Sequence, residues 1–250
     1  MITFYVVTLF PELITAYTST SIIGRAIRNE RIAVETVNPR DFCADKYRKV
    51  DDSPYGGGAG MVLKPEPFFA AVESIEGWSN APRLLTSPQG QPFKQAMAEE
   101  FAKESKLIVF CGHYEGFDER ICSLATHEVS LGDYVLTGGE LAALAIIDAV
   151  GRLIPGVLGK SMSLAEESFN DGLLEPPQYT KPAEFRGMSV PEVLRSGDHK
   201  AVGKWRRAES LKRTLERRPD LLNRTDLSEA DKRLLDEVAS SQSKSCPGQS

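Results

Sequence analysis

From Ile2 to Val7 the chain is nearly all apolar and rich in β-branched residues, which predicts a strand over residues 2–9. Phe10-Pro11-Glu12 turns it into a helix, with proline near the first helical position, where its missing N–H costs nothing. A helical run carrying Arg25 and Arg28 follows, then a strand over residues 32–37. The pattern continues as helix (66–75), strand (83–86), helix (92–105) and strand (107–111). A short helix (118–125), a strand (127–131) and a longer helix (140–150) complete the run. Strands alternating with helices predict an α/β domain on a mostly parallel sheet. A dinucleotide fold would carry G-x-G-x-x-G after the first strand, and Leu9-Phe10-Pro11-Glu12 offers nothing of that kind.

The pattern changes after Gly159. Residues 160–168 are polar and mixed, and Pro176, Pro177, Pro182 and Pro191 break up the stretch beyond them, which predicts a linker between two domains. From Ala201, apolar residues recur at Val202, Trp205, Ala208, Leu211 and Leu215, a helical stripe with basic residues on its other faces. Ser228 with Asp231 three residues later opens one more helix over 228–239. Residues 241–250 are polar and are expected to be a disordered tail. The resulting division is 1–159, a linker at 160–168, a small all-helical domain at 169–240, and the tail.

Three strands lead into glycine-bearing loops: Leu84-Leu85-Thr86-Ser87-Pro88-Gln89-Gly90, Gly112-His113-Tyr114-Glu115-Gly116, and Leu131-Gly132-Asp133-Tyr134-Val135-Leu136-Thr137-Gly138-Gly139-Glu140. Glycine there permits φ > 0 and close approach of backbone to a ligand. Gly138-Gly139 runs straight into a helix, whose first amides are unpaired and can bind a polar group. Three such loops leaving neighbouring strands can converge on one pocket. The stretch Asp51–Met61, with its Gly56-Gly57-Gly58 run, is expected to be an irregular loop. It resembles a phosphate cradle, but no Lys-Ser or Lys-Thr follows its last glycine, which disfavours a P-loop.

Apolar content of 41% and charged content of 26% are ordinary for a globular chain of 250 residues. No apolar run is long enough to span a membrane, and the N-terminus reads as a strand rather than a signal peptide. Cys43, Cys111, Cys122 and Cys246 lack metal-binding spacing, so no metal site is expected, and scattered thiols suit a reducing cytoplasm. The net charge of −5 argues against nucleic acid until its distribution is considered. Residues 199–218 hold eight basic side chains against two acidic ones, +6, which leaves −11 for the rest. A basic face on an acidic protein suits RNA binding as well as it suits a solvated helix face.

Taken together, these motifs resemble the bacterial tRNA (guanine-N1)-methyltransferase family, TrmD, of the SPOUT superfamily. The matching stretches run from Leu9-Phe10-Pro11-Glu12 to Arg217-Arg218-Pro219-Asp220-Leu221-Leu222. Between them lie Asn38-Pro39-Arg40-Asp41-Phe42, Tyr55–Met61, Ser87–Gly90, Tyr114–Arg120, Gly132–Glu140 and Arg152–Gly159. The resemblance implies a parallel sheet with a deep trefoil knot, S-adenosylmethionine bound bent inside it, and a cytoplasmic homodimer. It also implies methylation of N1 of the guanosine immediately 3′ of the anticodon, a helical domain that grips the tRNA, and assistance by Mg²⁺. In the family, the donor pocket of one subunit works with the linker and C-terminal domain of the other.

Carried onto this chain, the donor pocket comprises Leu85, Thr86, Ser87, Pro88, Gln89 and Gly90, then Gly112 and Glu115, then Leu131, Gly132, Tyr134, Leu136, Gly138 and Gly139. Leu131 and Leu136 would sandwich the adenine, and Glu115 would bind the ribose hydroxyls or the donor's amino group. His113 stands where the family often has arginine. Guanine N1 is protonated at neutral pH, so the chemistry needs a base, and a cation near O6 where negative charge gathers. Arg152 matches the family's arginine for the second task. Glu167 stands where the family has aspartate before Ser-Phe, and Asp171 is its rival as base. A ribose 2′-O-methyltransferase of the same superfamily and a non-catalytic RNA-binding relative are the alternatives.

Overall fold

The computed structural model describes residues 1–158, 168, 172–223 and 225–243, with the side chains of 239–243 excepted. The chain divides into two compact units, Met1–Gly159 and Lys160–Ser250. In the first unit five strands form one parallel sheet: β1 (Ile2–Val7), β2 (Ile32–Val37), β5 (Arg83–Pro92), β6 (Lys106–Phe110) and β7 (His127–Ser130). Their order across the sheet is β2-β1-β6-β5-β7. Alternate residues feed two separate cores, which explains why the central strands β1 and β6 are apolar along most of their length. Phe4, Leu84, Leu107 and Val109 face one core, with Ile14 of α1 (Pro11–Thr18), Ile23 of α2 (Ser21–Arg28), Phe101 of α4 (Gln95–Phe101) and Ile147 of α6 (Glu140–Gly151). Val7, Leu85, Ile108 and Phe110 face the other, with Phe68 of α3 (Pro65–Glu73) and Ile121 of α5 (Glu119–Cys122).

Several expected bounds shift for local reasons. The helix expected over 92–105 is only Gln95–Phe101, because Gln91 and Pro92 return to the sheet against Val129 and Ser130. Residues 87–90 thus form a bulge inside β5 rather than a loop after it. Gly90 closes that bulge: a Cβ there would sit 2.6 Å from the carbonyl carbon of Val129. The stretch expected to be irregular over 51–61 begins with a two-residue strand, β3 (Asp51–Asp52), which pairs antiparallel with β4 (Val62–Leu63). The glycines between them, at 56, 57, 58 and 60, all have positive φ. Helix α6, apolar nearly all round, is mostly covered by its own chain. Ile146, Ile147 and Val150 are fully buried, and Leu141 is the large apolar side chain it exposes.

The second unit is helical but not all-helical, contrary to the expectation from its sequence. A hairpin pairs β8 (Glu184–Phe185) with β9 (Met188–Ser189) through Arg186 and Gly187, both at positive φ, as a tight two-residue hairpin turn requires. A short helix, α7 (Glu192–Arg195), precedes α8 (His199–Arg217), whose first amides are capped by Asp198. Then come α9 (Pro219–Leu222) and α10 (Glu229–Ser243). Helix α10 reaches three residues into the expected tail, whose remainder, with Cys246, lies outside the described residues. Ser228 and Asp231 cap α10 reciprocally, as their spacing predicts. Among the described residues no helix is long and apolar enough to cross a membrane.

Asp231 also takes two hydrogen bonds from Arg207, at 2.7 and 3.0 Å, tying α10 to α8. The Arg207 guanidinium foremost, with Ser228, holds its carboxyl down at about 2, against an ordinary 3.8. A depressed carboxyl stabilises the fold above its unfolded pKa and loses that contribution as pH falls through the folded one. The pair should therefore contribute on the order of 1–2 kcal/mol at neutral pH, allowing for screening of the partly exposed guanidinium. Between about pH 4 and pH 2 this contribution should fade. Asp231→Asn is expected to lower denaturant stability at pH 7 but to match the unmodified protein near pH 2, as read by tryptophan fluorescence.

Candidate active site

The three glycine-bearing loops do converge. The bulge within β5 and the loops after β6 and β7 gather at one edge of the parallel sheet, the edge where open α/β sheets place ligands, and enclose a cavity of about 360 Å³. That volume lies in the range of about 300–1,000 Å³ usual for small-molecule sites. Leu85, Thr86, Ser87, Pro88 and Gln89 line it from the first loop, and Gly112 and Glu115 from the second. Leu131, Gly132, Tyr134, Leu136, Gly138 and Gly139 line it from the third. Gly90 does not, because it is spent on closing the β5 bulge.

Gly138 and Gly139 of the third loop, unlike Gly132 with its φ of +156°, serve a purpose other than a positive φ. Neither Gly138 nor Gly139 has one. A Cβ on Gly139 would instead lie 2.7 Å from Cys111 Cα and 2.8 Å from Gly112 N. The two loops are joined there by a Gly139 N–H bond to Gly112 O at 2.9 Å and by a bridge between His113 and Gly138. Missing side chains thus let loop press on loop.

Other residues at the site were not singled out from the sequence. Glu119 and Glu128 join Glu115 in the cavity wall, and no lysine or arginine does so among the described residues. Three carboxylates without a basic partner in that wall make this an acidic cavity, suited to a cationic ligand. Gly60 abuts the Glu115 side chain, and Glu115 N donates to Met61 O at 3.0 Å, so the glycine-rich loop of residues 56–60 reaches the cavity rim. Below the cavity, burial and then the nearby Glu140 push the Cys111 thiol well up, leaving it an inert core group. These contacts join segments far apart in the chain, and no local pattern announces them.

The two expected catalytic residues stand differently. Arg152 caps the C-terminal end of α6, while Gly139 lies at its N-terminal end. Thirteen residues at 1.5 Å each separate them by about 20 Å, and Arg152 is not among the cavity's lining residues. Its own chain therefore does not bring it to the cavity. Glu167 and its rival Asp171 lie outside the described residues. The basic helix α8 also differs from expectation: within the unit Arg207 is engaged with Asp231, and Arg213 donates to Glu175 O at 3.2 Å.

Fold and cavity together define the class: an α/β protein with an acidic small-molecule cavity at the carboxyl edge of a parallel sheet. Residues 2–224 match the family described as tRNA (Guanine-1)-methyltransferase TrmD. A tRNA (guanine-N(1)-)-methyltransferase of Dehalococcoides mccartyi strain CBDB1 is 56% identical over 236 residues, covering 93% of this chain and 95% of the relative. Enzymes of the same name from Moorella thermoacetica and Lactiplantibacillus plantarum are 55% and 53% identical, covering 94% and 95% of this chain and 95% and 98% of their own lengths. The chain belongs to the TrmD family of S-adenosylmethionine-dependent tRNA (guanine-N1)-methyltransferases.

Proposed function

We propose that the cavity between the β5 bulge and the loops after β6 and β7 holds S-adenosylmethionine, and that the methyl group goes to N1 of the guanosine 3′ of the anticodon. The cavity's acidity carries this reading. When bound, the donor supplies an electrophilic methyl on a positively charged sulfonium, and the carboxylates of Glu115, Glu119 and Glu128 favour that charge. Thr86 to Gln89 and Gly132 to Gly139 offer backbone groups to the adenine edge, while Leu131 and Leu136 supply apolar walls. A bend in the donor and a trefoil knot around it are the corresponding expectations for the backbone.

On the acceptor side, Glu167 takes the N1 proton as the N1–methyl bond forms, and Arg152 stabilises the charge gathering on O6. The separation of Arg152 from its own cavity, about 20 Å along α6, supports a homodimer in which a second copy brings its Arg152 to this cavity. Leu141, Tyr134 and Val135, 62%, 55% and 82% exposed, give the rim apolar surface for such a copy. The second unit binds the tRNA, with Lys204, Arg206, Lys212 and Arg213 of α8 toward phosphates. Among the described residues no group of three or more His, Cys, Asp or Glu could hold a metal ion, so no Mg²⁺ step is assigned to them.

Mass spectrometry of nucleosides from tRNA incubated with donor is the test. N1-methylguanosine at the position 3′ of the anticodon is the expected product, and a 2′-O-methylated nucleoside overturns the reading in favour of ribose chemistry. Calorimetry with donor alone separates the enzyme from a non-catalytic RNA-binding protein. Arg206→Glu with Arg213→Glu should weaken tRNA binding and leave donor binding unchanged.

A further inference from the structure

Beneath the cavity, three segments of the chain meet at one carboxylate. Glu140, in the first turn of α6, is 3% exposed. Its Oε1 accepts from Thr8 Oγ1 at 2.6 Å, just past the end of β1. Its Oε2 lies 2.7 Å from His113 Nε2, in the loop after β6. An ionised carboxylate only accepts, so the imidazole N–H donates. A buried carboxylate is costly unless paired and fully hydrogen-bonded. Glu140 meets that condition only while all three segments stay in place. The α6 N-terminus adds a favourable field.

His113 is fixed as tightly as its partner. Its ring packs on Phe10 with centroids 4.7 Å apart, and it fills the space a Cβ on Gly138 would need. Glu140 does not line the cavity, whereas His113 does, beside Gly112 and two residues before Glu115. The hydrogen bond between them therefore clamps the second loop to the third, the same junction that the Gly139–Gly112 bond spans.

We infer that Glu140 and His113 form a positioning pair that sets donor affinity, with Thr8 as its second arm; this rests on the assignment of the cavity to S-adenosylmethionine. A charge-assisted bond lost from a buried carboxylate leaves that group unsatisfied, and the loops relax apart to let water reach it. The loss falls on the donor, because both loops form the donor's walls. The bound tRNA and the rate at saturating donor are affected little.

The test is calorimetric titration of the full-length protein with S-adenosylmethionine, alongside steady-state methylation of tRNA. His113→Ala should raise the donor Kd and KM about ten- to a hundredfold and leave the tRNA KM and the rate at saturating donor near those of the unmodified protein. Thr8→Val should act in the same direction with smaller effect, and carries the test should His113→Ala not fold. His113→Arg, whose guanidinium can again donate to Glu140, should recover most of the lost affinity. A purely structural role would lower the binding stoichiometry and leave the Kd of the folded fraction unchanged. That outcome, or failure of arginine to rescue, overturns the inference while leaving the pocket assignment intact. Absence of donor binding by the unmodified protein overturns the pocket assignment and this inference together.

Discussion

Glu167→Gln is expected to slow single-turnover methylation by about 10²–10⁴, the usual cost of losing a general base. The reason lies in the acceptor. Guanine N1 holds its proton at neutral pH, so methylation without a base would produce a cationic base as its first product. A carboxylate that accepts the proton as the N1–methyl bond forms avoids that charge. The amide of glutamine has nearly the same shape but cannot take up the proton, so donor and tRNA affinities should persist while the chemical step fails. Glu167→Asp should recover most of the rate, since the chemical group is kept and only its reach changes. Asp171→Asn is the decisive comparison. Should it abolish methylation while Glu167→Gln barely slows it, the base is Asp171.

Gly139→Ala is expected to lower donor affinity by more than about a hundredfold and to destabilise the protein by about 1–3 kcal/mol, the common cost of overpacking. The added methyl would meet Cys111 Cα and Gly112 N, which are backbone atoms at the end of a central strand. It would also meet Thr86 Oγ1, which is held by donating to Phe110 O at 2.8 Å. None of these can yield without moving β5 or β6. The third loop must move instead, breaking the Gly139–Gly112 bond and opening the cavity floor. Gly57→Ala separates this effect from a general intolerance of glycine loss. That residue has nothing within 4 Å of its would-be Cβ and a φ of +79°. Its substitution should cost about 1–2 kcal/mol in backbone strain and leave donor affinity unchanged. Donor calorimetry and thermal unfolding of both variants check the pair of results. Equal donor affinity in Gly139→Ala and the unmodified protein would falsify the close-approach argument.

Much of the fold is legible in the sequence because its causes are local. The β-branched run at residues 2–7, Pro11 at a helix start and the Ser228–Asp231 capping pair each act over one turn or one strand. Doubly buried strands flanked by helices make the α/β class readable, and three strand-to-glycine transitions mark the cavity. The family resemblance adds the methyl donor and the tRNA guanine, which spacing cannot express.

Where sequence and structure part, the cause is shared: contacts that no short stretch of chain encodes. Arg186-Gly187 makes a hairpin in a unit whose pattern reads as all-helical, because four paired residues are too few to show a period of two. Gly90 belongs to a pocket motif by position, yet pairing of Gln91 and Pro92 with β7 turns it against Val129 instead. Arg152 follows α6 directly in sequence, and the rigid rise of a helix carries it about 20 Å from the cavity that α6 begins beside.

Sequence alone thus determined the α/β class of the first unit, the order of its main strands and helices and the three glycine-bearing segments that line the cavity, because periodicity and backbone preference are encoded over a few neighbouring residues. Tertiary structure decided which of those residues meet. Thr8, His113 and Glu140 are separated by more than a hundred positions end to end, and only the parallel crossovers of the sheet bring them to one buried carboxylate. Glycine at 138 and 139 carries the same lesson: the chain shows two residues without side chains, and only the packed loops show that the missing atoms are what let β6 and α6 close on each other.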